Sequence, residues 1–169
     1  LLKQLKKIDE EFREVSFSAV EQIKPLGDGD AVLRAARKIG QDSFGVLFPD
    51  DIIESKVPGL AQLKKVFKTS QKPVVGLRRV SREKLAGYGV AEVERIARRL
   101  FKIKKIVEKP SPGSAPSDLA LCGRYVFNHE IFDYLRKTPP NQYGEVILAE
   151  GLNKMLNDGK IVYGYELSG

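Results

Sequence analysis

The stretch Phe44-Gly45-Val46-Leu47-Phe48-Pro49-Asp50-Asp51 sets an apolar run directly against a proline and two acids. A run this short and continuous predicts a strand buried on both faces, stopped by Pro49, with both carboxylates at its carboxyl end. Upstream, Pro25-Leu26-Gly27-Asp28-Gly29-Asp30 reads as a turn whose last aspartate caps a helix marked by Ala31, Val32, Ala35 and Ala36. Before it, Val15 to Val20 alternates apolar and small polar residues, the pattern of a half-buried strand, and Leu2, Leu5, Ile8 and Phe12 fall at helical spacing. Downstream, Leu60, Leu63, Val66 and Phe67 outline an amphipathic helix, and Pro73 to Leu77 the next strand. Ile103 to Val107 and Leu121 to Phe127 predict two more strands, Glu130 to Leu135 and Glu145 to Leu156 two helices, and Lys160 to Leu167 a closing strand. Strands interleaved with helices predict an α/β domain, doubly wound, with a mostly parallel sheet and helices on both faces.

A chain of 169 residues, 42% hydrophobic and 30% charged, has the composition of one folded domain, which excludes disorder and fibrous structure. No internal repeat is visible, and Ser111 to Ser117, lying between strand patterns, reads as a loop rather than a linker. The single cysteine, Cys122, excludes a disulfide framework and multi-cysteine metal sites, and the single His129 excludes a histidine cluster. Any metal would have oxygen ligands. No apolar run nears the ~20 residues of a membrane span and no secretory signal is present, so a cytosolic protein without a membrane partner is expected. Lys and Arg total 29 against 22 Asp and Glu, a net charge of +7 that favours anionic partners. The chain starts at Leu1, without methionine and inside an apolar-periodic segment, so a fragment is expected.

Several residues could carry chemistry. Gly27 and Gly29, between strand and helix, would let backbone amides approach a ligand, but Asp28 and Asp30 place negative charge where a phosphate would sit. The turn is therefore a poor phosphate cradle and a better neighbour for a neutral base. The Gln22 amide carries both the donor and the acceptor that a pyrimidine edge requires, although a plain loop accounts for the same residues. Asp50 and Asp51 stand where α/β sheets gather ligands and where carboxylates hold magnesium; the alternative is that one caps a following helix and the other is solvated. Val107-Glu108-Lys109-Pro110 puts an acceptor for sugar hydroxyls beside a cation for a phosphate at a strand end, though exposed Glu-Lys pairs are common. Gly89, after Tyr88, permits backbone approach to a ligand or simply makes a turn. Cys122 and His129 form no nucleophile-and-base pair that spacing supports and read as structural. The basic stretch from Arg95 to Lys105, with Phe101 its one interleaved aromatic, is a solvated hairpin edge rather than a nucleic-acid surface.

Taken in order, these pieces resemble one family. Gln22, Pro25-Leu26-Gly27-x-Gly29-x-Ala31-Val32-Leu33, Leu47-Phe48-Pro49-Asp50-Asp51-Ile52-Ile53, Tyr88-Gly89-Val90 and Val107-Glu108-Lys109-Pro110 are similar to the bacterial UTP–glucose-1-phosphate uridylyltransferases. Ala115 to Ala120, Gly123-Arg124-Tyr125-Val126 and Gly144-Glu145-Val146 fit the same family within the sugar nucleotidyltransferase superfamily. The resemblance covers nearly the whole chain. It implies a Rossmann-like, doubly wound nucleotide-diphospho-sugar transferase fold, magnesium as cofactor, and formation of UDP-glucose and pyrophosphate from UTP and glucose 1-phosphate. It implies that Gln22 and Gly27 contact the uracil, Asp50 binds magnesium, Gly89 meets the sugar, Glu108 binds glucose hydroxyls, Lys109 the sugar phosphate, and Leu121 lines the sugar pocket. Asp50 and Lys109 are thereby the catalytic pair, and self-association into a homo-oligomer is expected.

The chain also departs from the family pattern. Asp30 stands where histidine is usual, and Asp28, Asp118, Ile147, Ala149 and Glu150 replace commoner residues. The resemblance further implies a glycine-rich triphosphate loop before Leu1 and a second metal-binding aspartate after Gly169, so residues 1–169 are expected to be a single domain lacking both and inactive or nearly so alone. Two alternatives stay open: a related nucleotidyltransferase for another sugar 1-phosphate or dTTP, and a non-catalytic module that binds a nucleotide sugar.

Overall fold

A computed structural model describes residue 10, residues 12–111 and residues 113–169. The helix expected from Leu2, Leu5 and Ile8 lies outside them. Val15 to Val20 forms no strand: residues 12–21 are exposed, with Phe17 at 79%. A strand needs a neighbour for its amides and carbonyls, and among the described residues none pairs with this segment.

Among the described residues six strands form one sheet: β1 (Phe44–Leu47), β2 (Val74–Arg79), β3 (Gly89–Arg95), β4 (Leu100–Glu108), β5 (Leu119–Phe127) and β6 (Tyr163–Glu166), in the order β1-β5-β2-β6-β4-β3. The expected mostly parallel sheet is not what these ladders form. Only β2 and β6 run parallel, whereas β1–β5, β2–β5, β3–β4, β3–β5 and β4–β6 are antiparallel, so the sheet is mixed. Hydrophobic pattern reports which faces a strand buries, not the direction of its neighbour. β1 is also not buried on both faces. It ends the strand order, Phe44 and Val46 are half-buried, Gly45 and Leu47 are exposed, and its inner side borders an apolar groove lined by Val32, Ala35 and Ile39.

The helices do cover both faces. α1 (Asp28–Arg34) is followed by the single turn α2 (Ala36–Ile39), then α3 (Gly59–Ser70), α4 (Ile131–Lys137) and α5 (Leu148–Asn157). Leu63 and Phe67 of α3 pack with Val74 and Val126 on one face of the sheet. Val75, Leu77, Ile103, Ile106 and Phe127 turn to the other, where Ile131 and Leu135 of α4 and Leu148, Leu152 and Met155 of α5 meet them. Each of these last side chains is almost wholly buried, and at ~1.5–3 kcal/mol each this cluster supplies the main driving force for folding.

Two local features shape the ligand side of the sheet. β2 and β5 lose register between Val75↔Tyr125 and Leu77↔Leu121, so three β5 residues oppose Gly76, and the middle one, Gly123, takes φ +55. Such a bulge bends its strand and re-aims side chains. β3 curls round far enough for Val90 to pair with Ala120, which brings the start of β3, the end of β4 and the start of β5 together.

Candidate active site

The three converging strand ends and the loop after β1 enclose a cleft of about 390 Å³ lined by Asp28, Phe48, Asp50, Asp51, Tyr88, Gly89, Glu108, Lys109, Leu121, Gly123, Tyr125 and Ala149. Five of the seven residues expected at a site, Asp50, Gly89, Glu108, Lys109 and Leu121, therefore meet in one place. Gly89 lies opposite Glu108 in the β3–β4 register, and a Cβ there would come within 2.9 Å of Glu108 Oε2 and 3.6 Å of Leu121 Cδ2. The glycine thus makes room for the glutamate as well as for a ligand. Lys109 donates its amide to Tyr88 O at 3.0 Å and sits at φ +44, a left-handed conformation, immediately before Pro110. That backbone costs on the order of 1–3 kcal/mol and is held by the ladder on one side and a buried proline on the other. Burial raises the Glu108 carboxyl above its ordinary value; Lys109 pulls it down, and Asp28 and Glu150 push it up further.

The two aspartates of the β1 loop differ. No helix follows them closely enough to be capped, since α3 begins at Gly59 after Pro58. Asp51 is built into a clasp: Arg124 donates to its backbone oxygen, to Phe48 O at 2.8 Å and to Gly123 O at 3.0 Å, and a Cβ on Gly123 would lie 2.6 Å from Asp51 Oδ2. Asp50 is exposed at the cleft mouth. The clasp holds the loop and leaves Asp50 as its outward carboxylate.

Gln22 and Gly27 stand beside this cleft as a linked pair: Gln22 Nε2 donates to Gly27 O at 3.0 Å and to Asp30 Oδ2 at 2.7 Å. Asp30 does not cap α1 by its side chain. It lies in the first turn, paired with Arg34 at 2.8 Å; burial pushes its carboxyl up, but Gln22 and Arg34 outweigh this and hold it below the usual range. The glycines of the turn serve a purpose their pattern did not reveal. Cβ atoms on Gly27 and Gly29 would lie 2.5 and 2.8 Å from Val146 O, because the turn is stitched to residues 146–148 by Val146 N to Leu26 O at 2.7 Å and Gly29 N to Val146 O at 2.9 Å.

Asp28 completes the stitching: its Oδ1 accepts from Gly29 N at 2.8 Å and from Leu148 N at 2.9 Å, the first amide of α5. Burial raises its carboxyl above the ordinary 3.8, opposed by those two amides and reinforced by Glu145. Below 3.8 this group favours the folded chain, and the benefit is lost as pH rises through the folded value. Asparagine keeps the Oδ1 acceptor without the ionisation. Asp28→Asn is thus expected to gain stability relative to the wild type as pH rises through the acidic range, while Asp28→Ala loses ~1–3 kcal/mol at neutral pH by stranding the buried Leu148 amide. Denaturant unfolding of both variants at pH 4 and 7 checks this; equal losses in the two would remove the acceptor role.

Asp118, one of the departures, lies outside the cleft and pairs with Arg79 at 2.7 Å. Cys122 is buried, and burial, with Asp51 nearby, pushes its thiol up to about 12, which leaves no thiolate at neutral pH. Sequence reasoning missed the Arg124 clasp and the capping of α5 by Asp28, contacts made across 73 and 120 positions that no local spacing encodes.

The mixed α/β fold thus carries a polar cleft at converging strand ends, with a strained lysine, an acceptor beside it and an outward carboxylate at its mouth. The chain matches the family described as Nucleotidyl transferase over residues 1–169 and belongs to it. It is 37% identical over 150 residues to UTP--glucose-1-phosphate uridylyltransferase 1 of Staphylococcus saprophyticus, covering 89% of this chain and 52% of that one. It is equally 37% identical to the UTP--glucose-1-phosphate uridylyltransferase of Bacillus subtilis, covering 89% of this chain and 51% of that protein. The chain spans about half the length of these curated relatives. Among solved structures, an apo UDP-glucose pyrophosphorylase superposes with a TM-score of 0.93 at 31% identity, over 99% of this chain and 62% of the other. A UTP-bound enzyme of that name from Acinetobacter baumannii gives 0.82 at 32% identity, over 99% of this chain and 61% of the other. Among the described residues no helix is long and apolar enough to cross a membrane.

Proposed function

We propose that the protein joins UTP and glucose 1-phosphate to form UDP-glucose with release of pyrophosphate, residues 1–169 contributing to a single nucleotidyltransferase domain. The observation that carries this reading is the meeting of Asp50, Gly89, Glu108, Lys109 and Leu121 in one cleft. A sugar-phosphate oxygen attacks the α-phosphorus of UTP, and the bond from that phosphorus to the bridging oxygen breaks, its electron pair leaving with pyrophosphate. Such a transfer needs positioning and charge neutralisation rather than a covalent protein intermediate, in keeping with a cleft that offers no activated nucleophile. Lys109 binds the sugar phosphate as a point charge, Glu108 accepts from glucose hydroxyls, the Gly89 backbone and Leu121 face the ring, and Gln22 Oε1 accepts from the uracil beside Gly27.

The exposed Asp50 carboxylate at the cleft mouth suits magnesium, an ion that is coordinated largely by substrate oxygens and water with one or two carboxylates. Bound at Asp50, magnesium would neutralise charge on the phosphoryl oxygens. The test is pyrophosphate release by the full-length protein with UTP or dTTP and a panel of sugar 1-phosphates. Turnover is expected to be fastest with UTP and glucose 1-phosphate; preference for dTTP or another sugar phosphate overturns the substrate assignment, and no turnover with any pair overturns the enzymatic one.

A further inference from the structure

β4 is paired with β3 from Gly89↔Glu108 to Arg95↔Phe101, with one register shift that leaves Lys104 without a partner residue. On its other edge β6 covers only Leu100 to Lys102, and Ile103 N reaches Val162 O at 3.0 Å. Beyond that point no strand among the described residues lies beside the edge, yet Ile106 is 1% exposed, so both of its backbone groups need partners. Asn153, on α5, supplies them. Its Oδ1 accepts from Ile106 N at 2.8 Å and its Nδ2 donates to Ile106 O at 2.8 Å, a two-point closure of the kind one residue of an antiparallel strand would make. The hold lies two residues before Glu108 and three before Lys109, where the chain leaves regular extended geometry for φ +44. α5 is in turn tied at Leu148 N to Asp28, whose turn carries Gly27.

We propose that Asn153 is a positioning residue for the reaction: its side-chain amide partners Ile106 where β6 does not reach, fixes the end of β4, and so sets Glu108 and Lys109 at the height the sugar phosphate requires. The inference rests on the reading of Glu108 and Lys109 as the sugar-phosphate contacts. Its signature is selective. Loss of the hold lets the strand end drift, and displacement of about 1 Å at a substrate-positioning group costs as much as ~10²-fold in rate. The nucleobase turn keeps its own stitching to residues 146–148.

The experiment measures KM for glucose 1-phosphate and for UTP separately in the full-length Asn153→Ala, Asn153→Ser, Lys109→Ala and Asn157→Ala variants, with thermal unfolding of each. Asn153→Ser leaves space and a hydroxyl for water to partner Ile106 and decides the matter if the alanine variant does not fold. Asn157, on the same helix and lining the same recess, serves as control, because the side-chain hydrogen bonds to Ile106 come from Asn153. The expected result is a KM for glucose 1-phosphate raised roughly tenfold or more in the Asn153 variants, with that for UTP within twofold of the wild type and Asn157→Ala unchanged in both. A lowered melting temperature with neither KM altered, or an equal rise in both, makes Asn153 purely structural and overturns the proposal. If Lys109→Ala raises the sugar-phosphate KM and the Asn153 variants do not, only this proposal falls; if Lys109→Ala does not raise it, the reading of the strand end falls and this one with it.

Discussion

Asp50→Ala in the full-length protein is expected to lose on the order of 10³-fold or more in turnover, with no recovery when magnesium is raised well above its working concentration. The loop geometry makes this a sharp expectation. Pro49 ends β1, Arg124 clamps the backbone through Phe48 O and Asp51 O, and the Asp51 carboxylate is packed against Gly123, so removal of the Asp50 side chain leaves the loop where it is. Because Asp50 is exposed, the substitution costs little stability. The loss therefore falls on catalysis, through the magnesium that the carboxylate would hold against the phosphates. Thermal unfolding of the variant should match the wild type within a degree or two. Turnover within tenfold of the wild type, with an unchanged magnesium dependence, would falsify the assignment of Asp50. Asp51 offers the contrast: its backbone oxygen and crowded carboxylate belong to the clasp, so Asp51 substitutions should lower stability as well as rate.

The difference between these neighbouring acids shows where sequence legibility ended. Where most strands and helices fall from Phe44 onward could be read because apolar spacing records burial directly, and α3, α4, α5, β2, β5 and β6 lie where it pointed; the expected alternation did not hold, since β2 to β5 follow one another without an α-helix between them and α4 and α5 are consecutive. Glu108 and Lys109 could be placed at a strand end for the same reason. β3 was hidden because Glu92, Glu94 and Arg95 face solvent along a hairpin, which leaves only Val90 and Ala91 fully buried in a seven-residue strand. β1 misled in the opposite sense: a continuous apolar run reads as buried on two faces, yet this strand ends the sheet and Leu47 is exposed. Strand direction, the bulge at Gly123 and the contacts of Asp28, Arg124 and Asn153 were out of reach, since each depends on a partner distant in the chain and none leaves a periodic trace. Even the Gln22 pattern was half legible: its donor and acceptor were plain, but Asp30 engages the donor side.

Gly27 carries the largest expected effect on folding. At φ +96 it occupies a conformation that an alanine enters only at a cost of ~1–3 kcal/mol. Its Cβ would also stand 2.5 Å from Val146 O, 3.0 Å from Val146 N and 3.0 Å from Glu145 Cβ. Two of those three atoms are backbone, stitched to the turn by the Val146 N to Leu26 O hydrogen bond, and cannot swing aside as a side-chain end would. Overpacking of this kind adds ~1–3 kcal/mol, so Gly27→Ala should destabilise the chain by about 2–6 kcal/mol in total. Gly40→Ala separates the two contributions, because Gly40 also has positive φ, at +64, but nothing lies within 4 Å of its Cβ position; only the conformational part, ~1–3 kcal/mol, should be lost there. Denaturant unfolding of the two variants side by side measures the difference. Equal losses would show that residues 145–146 yield to the methyl, and that the close approach of the turn to α5 is not what the glycine is for. If the gap appears, any Gly27→Ala protein that still folds should also bind UTP more weakly, since the only relief open to it is to lift the turn away from Val146, carrying with it the Gly27 carbonyl on which Gln22 Nε2 is fixed.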